Sequence, residues 1–70
     1  MQTLIYNKKE RTAFLYDGSS VGSGILIRKV NDVYDVRELE GSYTIYQKIG
    51  DNNSPVLKVP VAATNVFLEY

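Results

Sequence analysis

The chain has 70 residues, enough for one domain, and its eight basic and eight acidic side chains cancel. With neither cysteine nor histidine, it cannot build a disulfide framework, a thiolate metal site or a histidine general base. A domain of this size buries only about 60% of its unfolded surface, so ordinary packing, supplemented by self-association, must supply its stability.

The charge balance argues against a nucleic-acid or membrane-surface binder, which usually carries a basic excess. The opening "MQTLIYNKKE" lacks the basic-then-apolar order of a signal peptide. No apolar run approaches the roughly 20 residues of a membrane-spanning helix. A cytoplasmic chain without membrane contact is therefore expected.

Short runs rich in Val, Ile, Tyr and Thr alternate with turn signals along the whole chain. "TLIY" and "TAFLY" come first, separated by "NKKER". The basic residues Lys8, Lys9 and Arg11 read there as a solvated hairpin tip, because runs that bind nucleic acid are usually longer.

Next comes "DGSSVGSGI" at 17–25, the most motif-like stretch. A phosphate-cradling loop needs a following helix or a Gly-Lys-Ser/Thr sequence. This stretch has no such lysine and runs into the strand-like "ILIRKV". Asp17 and Gly18 read instead as a hairpin dipeptide, and Gly22 and Gly24 as sites for a bulge or bend. A small ligand held between subunits near Gly22 and Gly24 is a further alternative.

"ILIRKV" and "VYDVREL" flank Asn31 and Asp32, which read as a two-residue hairpin turn placing Arg28 opposite Asp35. Glu40 and Gly41 read as a second such turn, placing Ile45 opposite Val36 and Tyr43 opposite Glu38. Glutamate is a poor choice for positive φ, but a one-residue slip would expose Ile45 and Ile49, whose burial is worth roughly 1.5–3 kcal/mol each. A three-stranded meander over residues 25–49 follows, with Ile25, Ile27, Tyr34, Val36, Tyr43, Ile45 and Ile49 on one face. Beyond it lie "GDNNSP", a polar loop without the spacing or closing glutamate of a calcium site, and the runs "VLKVPV" and "NVFLEY".

The rhythm predicts an all-β single domain of six to seven short strands, a small barrel or a curled antiparallel sheet. The expected core is Leu4, Phe14, Ile25, Ile27, Val36, Ile45, Ile49, Val59 and Phe67. The C-terminal "VLKVPVAATNVFLEY", a strand, a Pro-led tight turn and a final strand, is similar to the end of SH3-like small barrels. "GSGILIRKVNDVYDVREL" resembles their Gly-led hairpin. The resemblance implies the fold alone, because the acidic aromatic-flanked loop and paired tryptophan of peptide-binding SH3 domains are missing.

No serine stands in a nucleophile elbow or a Ser-x-x-Lys context, and Asp35 and Glu38 point to opposite faces of the expected meander. Neither an enzyme nor a cofactor is expected. The other meander face carries Leu26, Arg28, Val33, Arg37, Tyr46 and Lys48, rich in the residue types that anchor interfaces. The expected function is a non-enzymatic module acting through a protein–protein interface, including its own homodimer contact. The alternative is a small barrel binding nucleic acid through Arg28, Arg37, Tyr46 and Lys48.

Overall fold

The computed structural model describes residues 1–18 and 24–69. It is an all-β structure of two sheets, with seven strands among the described residues. The strands are β1 (Gln2–Asn7), β2 (Thr12–Asp17), β3 (Ile25–Val30), β4 (Val33–Leu39), β5 (Ser42–Ile49), β6 (Asn52–Pro60) and β7 (Thr64–Glu69). A 3₁₀ turn, η1 (Val61–Ala63), leads into β7. Among the described residues no helix is long and apolar enough to cross a membrane.

One sheet has the order β3-β2-β1-β7 and the other the order β4-β5-β6. All neighbours are antiparallel except β1 and β7, which run parallel with Leu4 beside Val66. The chain thus brings its first and last strands side by side, and the sheet of four is mixed, not purely antiparallel.

The expected meander over residues 25–49 is half right. Its second hairpin stands as read: Val36 pairs with Ile45 and Glu38 with Tyr43. Its first hairpin does not form, because β3 pairs with β2 and not with β4. Asn31 and Asp32 form a corner where the chain leaves the sheet of four and enters the sheet of three. The corner is held from both sides. Val33 N donates to Arg11 O, Lys48 N to Asp32 O, and Gln47 Nε2 to Asn31 O, at 2.8–2.9 Å.

The core lies between the inner faces of the sheets. Leu4, Tyr6, Ala13, Leu15 and Val30 meet Val33, Ile45 and Val59, with Val36, Tyr43, Leu57 and Val66 packed around them. Val30 and Val33 enter this cluster from either side of the corner, which ties the two sheets into one core. Leu4, Ile45 and Val59 were expected there and are buried, while Phe14 and Val36 are half-buried. Ile25, Ile27, Ile49 and Phe67 were also expected there and are exposed. Two of them, Ile25 and Ile27, sit on β3, which among the described residues is an edge strand with a neighbour on one side only.

The glycine stretch is partly described. Residues 19–23, including Gly22, lie outside the described residues. Asp17 pairs with Ile25, so Asp17 and Gly18 are not the centre of a two-residue hairpin. Gly24 closes against Asp17 so tightly that a Cβ there would run into the Asp17 carbonyl. Thr3 Oγ1 pins the same region by donating to Gly18 O at 2.6 Å.

Candidate protein-interaction surface

The corner divides the six residues expected on one surface. Leu26 and Arg28 belong to β3 in the sheet of four, whereas Arg37, Tyr46 and Lys48 belong to β4 and β5 in the sheet of three. Val33 is buried in the core and leaves the surface altogether. The expected Arg28–Asp35 ion pair is replaced by a local one, in which Arg37 Nε donates to Asp35 Oδ2 at 2.8 Å.

That local pair organises the outer face of the sheet of three. The Arg37 guanidinium lies 5.2 Å from the Tyr46 ring centroid and 5.9 Å from that of Tyr34, within cation–π range of both. Its hydrogen bond to Asp35, reinforced by the carboxylate charge, holds the Arg37 pKa above its ordinary value. Its exposed cluster is already occupied with itself: the cation has its carboxylate, and both rings have their cation.

A cleft of about 410 Å³ opens between the two sheets. Tyr6, Val36, Tyr43 and Val66 line it, with Lys8 and Glu38 contributing opposite charges. Of the two carboxylates in its lining, Asp35 is held by Arg37.

The outer face of the sheet of four differs in kind. The register aligns Phe67, Ile5, Phe14 and Lys29 in one row, and Asn65, Thr3, Tyr16 and Leu26 in the next. Phe14 and Tyr16 stack with ring centroids 6.4 Å apart, and Lys29 Nζ lies 5.4 Å from the Phe14 centroid. Ile5 and Thr3 are buried yet do not belong to the inter-sheet core. The sheet thus has a second apolar layer, against which no second sheet lies among the described residues.

This layer runs out to β3, where all residues but Val30 are exposed. Ile25, Leu26 and Ile27 are 79%, 47% and 50% exposed, three large apolar side chains in succession on a free edge. A bulge between Leu15 and Tyr16 leaves Ile27 without a partner on β2. Of the six residues expected at an interface, only Leu26 lies in this patch, with Arg28 beside it. The signal missed in the sequence was the unbroken "ILI", apolar on both sides of a strand, which a half-buried strand with one wet face would not carry.

No family model matches this chain, and neither a curated protein nor a solved structure matches it.

Proposed function

We propose that this chain is a non-enzymatic binding module that acts through a protein–protein interface on its sheet of four, and that it works as a homodimer. One observation carries the reading: the outer face of Phe14, Tyr16 and Phe67 continues into the exposed Leu26 of β3, which Ile25 and Ile27 flank along the same strand. Contiguous exposed apolar surface of this kind marks interaction sites. We read the fold as an SH3-like small barrel. What supports this is the chain path through the corner from β3 to β4, and the 3₁₀ turn that precedes the last strand.

The nucleic-acid alternative has less support. Its four residues are divided between two sheets, and Arg37 is tied to Asp35. Sedimentation equilibrium across protein concentration tests the proposal. The expected mass rises from the 7.9 kDa of one chain towards twice that, and changes little between low and moderate salt. A strict monomer at millimolar concentration would remove the homodimer. Binding to a single-stranded oligonucleotide that collapses as salt is raised would favour the alternative instead.

A further inference from the structure

Resting on that reading, we infer that the partner at β3 is a second copy of this chain, joined edge to edge by antiparallel β3–β3 pairing about a two-fold axis at Leu26. Among the described residues β3 ends its sheet, so one row of its backbone groups has no neighbouring strand there. Native edges are usually guarded by charge, proline, a bulge or covering structure, and β3 has a bulge at Ile27. Here the first half of the strand carries Ile25, Leu26 and Ile27, and the charges come only afterwards, at Arg28 and Lys29.

That order selects the arrangement. Parallel in-register pairing would set Arg28 on Arg28 and Lys29 on Lys29 of the second copy, and like charges directly opposite are destabilising. Antiparallel pairing centred on Leu26 sets Ile25 opposite Ile27 of the second copy and Leu26 opposite its equivalent. The basic residues move to opposite ends. Each Arg28 then comes to the end of the other copy's strand, where Gly24 presents no side chain and where the exposed Asp17 stands on β2 in register with Ile25. A net charge of zero leaves no general repulsion between copies. Two sheets of four become one continuous sheet of eight, and the apolar outer layer doubles in extent. The two-fold operator makes the contact self-complementary, which closes the assembly at two.

The absence of native cysteine makes the register directly testable. A Leu26→Cys variant places two thiols at the two-fold axis, on Cα atoms about 4.5–5.5 Å apart, within reach of a short bismaleimide. Leu39→Cys, on an exposed apolar residue of β4, is the comparison site. Covalent dimer is expected at position 26 and not at 39, and Leu26→Lys is expected to weaken association at least about tenfold while leaving the circular dichroism spectrum unchanged. A wild-type dimer that crosslinks at 39 and not at 26, or that Leu26→Lys leaves intact, overturns the β3 pairing while the protein-interface reading stands. A wild-type chain that stays monomeric removes both.

Discussion

Ile45 and Ile49 lie on one strand with side chains of the same parity, and alternation in the sequence assigns both to the core. The structure separates them: Ile45 is wholly buried and Ile49 is 53% exposed. Alternation decides which face a side chain takes, but not whether anything covers that face. Ile45 sits between Val36 and Leu57 in mid-sheet, beneath the sheet of four, whereas Ile49 pairs with Asn52 beside the turn at Gly50 and Asp51. The same substitution therefore has two outcomes. Ile45→Val is expected to cost about 0.5–1.5 kcal/mol, the usual penalty for removing a buried methylene, and Ile49→Val less than about 0.5 kcal/mol. Urea unfolding midpoints at constant m-value measure both, and equal losses would contradict the burial difference. The hydroxyls obey a similar logic. Thr3 and Thr64 are buried polar residues, and each donates to a backbone carbonyl, of Gly18 and Pro60 respectively, at 2.6 Å.

At the scale of elements, two dipeptides that look alike in sequence behave differently, and backbone torsion explains why. A two-residue hairpin of the favoured type needs positive φ at both central residues. Glu40 and Gly41 supply it, at 51° and 78°, and β4 turns back into β5. At Asn31 and Asp32 only Asp32 takes positive φ, at 53°, so the chain bends into a corner and continues into the other sheet. Glu40 occupies its position against its own steric preference, since only Gly, and less often Asn or Asp, visits that region routinely. Glu40→Asn is expected to raise stability by about 0.5–1 kcal/mol, and Gly41→Ala to lower it by about 1–2 kcal/mol although open space surrounds that position. Chemical denaturation reads both changes, and a neutral Gly41→Ala would mean the turn can relax away from positive φ.

The same contrast shows what was legible in the sequence. All seven β-rich runs became strands, and the β4–β5 register followed from the demand to bury Ile45. The pairing of β3 did not follow, because a turn-forming dipeptide between two β-rich runs is compatible with either a hairpin or a corner. What decides is long-range: Leu15 beside Arg28, and the bonds that fix the corner to Arg11 and Lys48. The candidate surface was lost with that pairing, since Leu26 and Arg28 moved to one sheet and Arg37, Tyr46 and Lys48 to the other.

At the scale of the whole molecule, a 70-residue chain without disulfides has a small stability margin, about 0.05–0.15 kcal/mol per residue. The inter-sheet core uses one face of each sheet, and on the outer face of the sheet of four Ile5 is buried while Phe14 and Tyr16 are half-buried and Phe67 exposed, so part of that layer has burial still to gain. The proposed association through β3 would couple the stability of each copy to the concentration of the other, because a contact made only by folded chains favours folding by mass action. For a dimer that unfolds to two separate chains, a tenfold rise in concentration adds about 1.4 kcal/mol per dimer, or about 0.7 kcal/mol per chain. In a domain of 60–100 residues, where 1 kcal/mol moves the melting temperature by about 4–8 °C, that is a rise of about 3–6 °C. Differential scanning calorimetry at two concentrations above the dissociation constant should record it. Leu26→Lys should show a smaller concentration dependence, and none below its own weaker dissociation constant, because a lysine at the axis weakens the coupling and leaves the fold of each copy alone. A concentration-independent wild type would mean that β3 remains a free edge at those concentrations and that the sheet of four bears its apolar outer layer uncovered.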